Sequence, residues 1–155
     1  MAWSGAQPAI LTAEEAMGDT VRKVYHYAIL VPNRPGAAFK VLATLVSAGI
    51  NLLACSGTPR GRRAQIDVVP DDTRKFNAAV RKAGIAFAPT KAGFLIQGKD
   101  RPGALAENLR LLADKGINVA AVDGLSAGKG RWGAILWVDP TDMNRAARVL
   151  RARSG

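Results

Sequence analysis

The sequence predicts an α+β fold built from two tandem β-α-β-β-α-β units, the second lacking its last strand. Three observations carry that prediction. Asn33-Arg34-Pro35-Gly36-Ala37 returns as Asp100-Arg101-Pro102-Gly103-Ala104, and Gly49-Ile50-Asn51 returns as Gly116-Ile117-Asn118, both at an offset of 67 residues. A constant register over that distance marks a duplicated supersecondary unit. Within each copy the apolar pattern alternates between strand-like and helix-like periods in the same order. Finally, only a few residues follow the second helix of the second copy, too few for a fourth strand.

In the first copy, Val24–Val31 is apolar and β-rich, and Pro32 and Pro35-Gly36 break it. Ala37–Ala48 then places Phe39, Leu42, Leu45 and Val46 on one helical stripe. Pro35 suits the first turn, where a missing N–H costs nothing, and Gly49 suits the end. Ile50–Ser56 reads as a second strand on the inside of a sheet, and Thr58-Pro59-Arg60-Gly61 as a turn with Pro and Gly at favoured positions. Arg63–Val69 is a third strand, alternating Ala64, Ile66 and Val68 against Gln65 and Asp67. Asp71 or Asp72 can cap a second helix reaching Ala83, and Ile85–Ala88 is a short fourth strand.

The second copy gives strand Gly93–Gly98, helix Gly103–Lys115, strand Ile117–Ser126, turn Ala127–Gly130, strand Arg131–Val138 and helix Pro140–Arg151. This is the ferredoxin-like order. The expected division is an N-terminal extension at 1–21, a first repeat at 22–89 and a second at 90–155. Residues 1–16 are expected outside the repeat core, with a short helix at Ala13–Met17 from the capping-box spacing of Thr12 and Glu15. Without a fourth strand, Gly93–Gly98 is expected to be a bare sheet edge unless Pro8–Thr12 folds back onto it. That edge, with the apolar strand Trp132–Val138, predicts a homodimer or larger assembly.

Composition excludes several classes. Of 155 residues, 48% are apolar and 22% charged, which is globular rather than disordered or fibrous. One cysteine, Cys55, and one histidine, His26, exclude a disulfide framework and most thiol, imidazole or metal chemistry. No apolar run approaches the roughly 20 residues of a membrane span, and the N-terminus lacks a basic secretory n-region. A soluble cytoplasmic protein is expected, with no cofactor and no membrane partner. Net charge is +10, but Glu14, Glu15 and Asp19 face no Lys or Arg within residues 1–20, leaving +13 on the other 135. Such a balance attracts polyanions, yet the basic residues are spread along the chain, with Arg60, Arg62 and Arg63 as the densest cluster.

A ferredoxin-like unit with [Asn/Asp]-x-Pro-Gly after its first strand and Gly-Ile-Asn entering its second resembles the ACT domain. Both copies carry both motifs, over about residues 22–152. The resemblance implies a stand-alone tandem ACT protein without a catalytic domain: not an enzyme, but a regulatory protein that binds a small-molecule effector, most often an amino acid. It further implies a partner enzyme or regulator that reads the occupancy, and side-by-side pairing of domains with ligands near the interface. A regulatory subunit with a vestigial ligand site is the alternative.

The candidate ligand-binding residues are Asn33, Arg34, Pro35, Gly36 and Ala37 with Asn51, and Asp100, Arg101, Pro102, Gly103 and Ala104 with Asn118. Gly36 and Gly103 let backbone approach a ligand, and the first helical turn offers unpaired N–H groups to a carboxylate or phosphate. Asn33 and Asp100 can accept from an ammonium group or else cap their helices; Asn51 and Asn118 can add a donor and an acceptor or serve as turn residues. Valine at Gly36 or Gly103 is expected to block the ligand, provided neither glycine needs a positive φ.

Other features read as structural. The Arg60–Arg63 cluster is a solvated hairpin tip, His26 packs between Tyr25 and Tyr27, and Cys55 is a buried small hydrophobe. Gly124-Leu125-Ser126-Ala127-Gly128 fits a nucleophile elbow, but a turn and strand follow it and the sole histidine lies upstream. Gly128-Lys129-Gly130-Arg131-Trp132-Gly133 fits a dinucleotide fingerprint but opens a strand. An RNA-binding module of this topology stacks bases on strand aromatics, and Arg63–Val68 contains none, which disfavours nucleic acid.

Overall fold

The structure is a computed structural model that describes residues 18–153. Its elements in chain order are β1 (Thr20–Pro32), α1 (Ala37–Ser47), β2 (Leu52–Arg60), β3 (Arg63–Pro70), α2 (Thr73–Lys82), β4 (Phe87–Lys99), α3 (Ala104–Ala113), β5 (Val119–Gly128), β6 (Arg131–Val138), a 3-10 turn (Pro140–Asp142) and α4 (Met143–Val149). The fold is α+β with the expected β-α-β-β-α-β order. It divides into two compact units, Val24–Ala92 and Gly93 onward, the latter joined by the segment that precedes Val24. The division falls inside β1 and inside β4, at neither of the sequence boundaries 21/22 and 89/90. The expected helix at Ala13–Met17 and the strand-like Pro8–Thr12 lie outside the described residues.

In the first unit the strands lie in the order β2-β3-β1, all antiparallel, with Tyr27 opposite Val68 and Cys55 opposite Val68 on its other side. Alternation puts Ile29, Ile66 and Val68 into a core with Leu45 of α1 and Phe76 and Val80 of α2. Asp72, rather than Asp71, caps α2: its carboxylate accepts from the Lys75 N–H at 2.9 Å. That bond, with the nearby cations Arg74 and Lys75, holds the Asp72 carboxyl below its usual range.

The hairpin between β2 and β3 is tighter than its sequence suggests. Thr58 and Pro59 belong to β2, Arg60 pairs with Arg63, and the loop is Gly61-Arg62 alone. Gly61 has φ 63°, as the first central position of a primed two-residue turn demands. Pro59 is tolerated because β2 is an outer strand of its unit. For the same reason Cys55 is exposed rather than buried. Partial desolvation of its sulfur and the charge of Asp67 still raise its thiol pKa.

The second unit has the order β4-β6-β5, with Phe94 opposite Leu136 and Val122 opposite Leu136 on its other side. Its hairpin loop is Lys129-Gly130, both at positive φ, the signature of a type I′ turn. Phe94, Ile96, Leu112, Leu136 and Ala146 form the core, and Val21 belongs to the same cluster.

Val21 marks the largest departure from expectation. Among the described residues no strand follows α4, yet the edge of Gly93–Gly98 is not bare. The start of β1 lies there: the Thr20 hydroxyl donates to the Gln97 carbonyl at 3.2 Å. Arg22 and Arg153 form a parallel bridge, in which the Arg153 N–H donates to the Val21 carbonyl and the Lys23 N–H to the Arg153 carbonyl. Residues 20–23 continue the pattern of the first-repeat strand, so nothing local distinguishes the four that complete the other unit. No helix among the described residues is long and apolar enough to cross a membrane.

Candidate functional site

The two Pro-Gly loops are built alike. The Asn33 N–H donates to the Arg62 carbonyl and the Asp100 N–H to the Gly130 carbonyl, so each loop is tied to the hairpin tip of its own unit. The side chains add a second tie: the Asn33 amide donates to the Gly61 carbonyl at 3.1 Å, and the Asp100 carboxylate accepts from the Ser126 hydroxyl at 2.9 Å. Neither caps its helix. The cap positions belong to Gly36 and Gly103, and no side chain bonds there. The Ala38 and Phe39 amides, and those of Leu105 and Ala106, are thus left facing outward from the first turns.

Arg34, Pro35 and Gly36 are exposed and Ala37 half-buried; Pro102 and Gly103 are exposed, Arg101 half-buried and Ala104 buried. Asn51 and Asn118 do not join them. Leu52 pairs with Pro70, at the end of β3 opposite the Gly61-Arg62 loop, and Val119 pairs with Val138, at the far end of β6. A helix following a strand returns the chain to the end where that strand began. Seven residues of β3 at about 3.3 Å each therefore put roughly 23 Å between Asn51 and the loop it was expected to serve.

At the second loop an open groove of about 530 Å³ lies between α3 and β5, lined by Asp100, Arg101, Gly103, Leu105, Leu109, Leu125, Ser126 and Trp132 among others. It offers a cation, an anion, a hydroxyl and first-turn amides around apolar walls, an arrangement suited to a small zwitterion. Ser126, Leu125 and Trp132 were not assigned to this site in the sequence, where they entered only through the rejected Gly124–Gly128 and Gly128–Gly133 motifs and the apolar last strand. They reach the groove only because the β5–β6 hairpin folds back over the loop.

Gly36 and Gly103 have φ 82° and 84°, in the left-handed region. A Cβ at either would meet nothing within 4 Å, so glycine is required by the backbone rather than by crowding. The valine test thus mixes strain with loss of binding. Gly103→Ala should itself destabilise the chain by about 1–2 kcal/mol, the usual penalty for an L-residue in this region, measurable by urea unfolding. An unchanged midpoint would mean the loop readily leaves its αL conformation.

Beside the groove lies a cluster the sequence did not reveal. The Asp19 carboxylate, with its side chain only 1% exposed, receives both guanidinium NH2 groups of Arg101 at 3.0 Å. The Asn108 amide donates to it at 3.2 Å and the Trp132 indole N–H at 3.3 Å. Gly98 makes the room: a Cβ there would fall 1.8 Å from an Asp19 oxygen. The available signal was a difference between repeats. At the 67-residue offset, Gly98 and Asn108 answer Val31 and Val41, which are buried in the first core.

Elsewhere, His26 Nε2 lies 2.9 Å from Asp67, which also accepts twice from the Gln65 amide. Arg60, Arg62 and Arg63 are exposed around the first hairpin loop. No group of three or more His, Cys, Asp or Glu suited to a metal occurs among the described residues.

Residues 94–154 match the family model of the ACT domain, and the second unit is an ACT domain. No curated protein matches the sequence. Among solved structures, a protein from Bacteroides thetaiotaomicron is similar, with a TM-score of 0.71 and 21% identity over 86% of this chain and 89% of that one. The regulatory subunit of aspartate kinase from Thermus thermophilus is similar with a TM-score of 0.58 and 21% identity, over 86% of this chain and 95% of that one. The corresponding subunit from Thermus flavus gives 0.54 and 20%, over 86% and 95%. The ferredoxin-like fold thus extends over both units.

Proposed function

We propose that this protein is a regulatory binding protein that takes an amino acid at the Pro-Gly loop of its second unit and passes the occupancy to a partner enzyme or regulator. The groove bounded by Asp100, Arg101, Gly103 and Ser126 carries this reading. The ligand carboxylate would meet the first-turn amides of α3, and its ammonium group the Asp100 carboxylate beside Ser126. The first unit, with the same loop geometry but Asn33 for Asp100, is read as a second ACT domain with a weaker or different site. The likeness to aspartate kinase regulatory subunits supports action on a separate catalytic chain. Outer strands β2 and β5 are exposed along most of their length, and such edges favour a homodimer or larger assembly.

Calorimetry against the common amino acids tests the reading. At least one should bind, and Asp100→Asn should weaken it by about 1.5–3 kcal/mol, the range for hydrogen bonds involving a charged group, with the unfolding midpoint nearly unchanged. Absence of binding by every amino acid would sink it and favour a partner-binding subunit whose ligand site is vestigial.

A further inference from the structure

The Asp19 cluster has the chemistry of a ligand site with its ligand supplied by the chain itself. A carboxylate sits against a bidentate guanidinium, an amide N–H and an indole N–H, and all three donors come from the second unit's own framework. The acceptor comes from the segment just before the first described strand residue. The ferredoxin-like fold does not require this arrangement: the first unit fills the matching positions with Val31 and Val41 and is well packed without it. A buried ion pair is no better for stability than apolar packing of the same volume. Gly98 and Asn108 therefore make a carboxylate-shaped space where two valines would have closed the core. Arg101 and Trp132 also line the adjoining groove, so the space opens towards the place where a small acid would enter.

We propose that Arg101, Asn108 and Trp132 form a carboxylate receptor whose resident ligand is Asp19, and that the carboxylate of a free small acid binds there by displacing it. Entry requires residues 18–20 to peel from the Gly98 end of β4 while Val21 stays in the core. The segment is thus a competitor in cis: it keeps the guanidinium paired when no acid is present and sets a threshold concentration for one to bind. Its departure would free the edge of β4 nearest the Pro-Gly loop, so that occupancy of the receptor changes the surface offered to a partner. This deepens the amino-acid reading and rests on it only in taking the natural displacing acid to be an amino acid, whose carboxylate would pass from the first-turn amides of α3 to the receptor once Asp19 has left.

Acetate is the probe, because it carries the carboxylate and nothing else. In the full chain, Asp19→Ala vacates the receptor. Sodium acetate at about 100 mM should then raise the melting midpoint of the variant by roughly 3 °C or more above sodium chloride at equal ionic strength. Wild type should respond little, and neutral acetamide should act on neither. In 15N spectra the Trp132 indole resonance should move on Asp19→Ala and return towards its wild-type position as acetate is added. Should Asp19→Ala fail to fold, the isosteric Asp19→Asn keeps the volume, and its indole resonance should shift with acetate at lower concentration than that of wild type. Equal response of variant and wild type, or an indole resonance indifferent to acetate, overturns the proposal. Such failure would leave amino-acid binding at the loop untouched, since calorimetry on wild type tests that separately.

Discussion

Phe76→Ala should destabilise the protein by about 3–5 kcal/mol, the range for emptying a fully buried aromatic site. Phe76 is 0% exposed and stands at the centre of three rings. Its centroid lies 4.6 Å from Tyr27 and 5.7 Å from Phe87, which are themselves 5.9 Å apart. These pairs come from β1, α2 and the start of β4, so the substitution opens a cavity where three elements meet. Collapse into it is limited, because Val80, Leu45 and Val68 are already at close packing around it. At about 2–4 °C per kcal/mol for a chain of this size, the melting midpoint should fall by roughly 6–20 °C. Far-UV circular dichroism is the suitable probe, since no tryptophan lies within Val24–Ala92. A loss under about 1 kcal/mol would show that the first unit contributes little to overall stability.

A chain beginning at Val24 should lose still more. It lacks Val21, whose burial is worth about 1.5–3 kcal/mol. It also lacks Asp19, and a largely buried Arg101 without its carboxylate costs on the order of 3–5 kcal/mol. The backbone bonds to Arg153 go as well. The remaining tryptophans, Trp132 and Trp137, both lie on β6, so their fluorescence in urea reports the second unit directly. That transition should broaden or move to much lower denaturant, and the bared edge of β4 should promote association. A fluorescence transition at the full-length midpoint would mean that residues 19–23 do not complete the second unit.

The duplicated topology was legible because its punctuation is chemical. Pro-Gly before each first helix and Gly after it are forced by backbone geometry, and both repeats carry them. The hairpin tips were less so: Thr58-Pro59-Arg60-Gly61 has turn composition, and only its place on an outer strand lets Pro59 continue the ladder. Cys55 was misplaced for the same reason, because an apolar run does not say whether its strand has one neighbour or two. Asn51 and Asn118 were assigned to the loops by proximity in the motif, whereas the crossover helix carries them to the opposite end. The Asp19 cluster joins residues more than 80 positions apart, and no periodicity encodes that. Only the substitution of Gly98 and Asn108 for valines hinted that the second core holds something polar.

The placement of Val21 beside Arg153 also bears on how the chain is made. The residues that complete the second unit leave the ribosome before the first unit, and their partner, Arg153, only after it. At about 5–20 residues per second, on the order of ten seconds of translation separate the two. During that interval Val24–Ala92 can close on itself, since all its strands and helices have emerged. The nascent second unit cannot, and its final step must bring together segments on either side of Val24–Ala92, a long closure of the kind that slows folding. Folding of this protein is therefore ordered by its connectivity, and residues 19–23 are held in reserve until Arg153 has emerged.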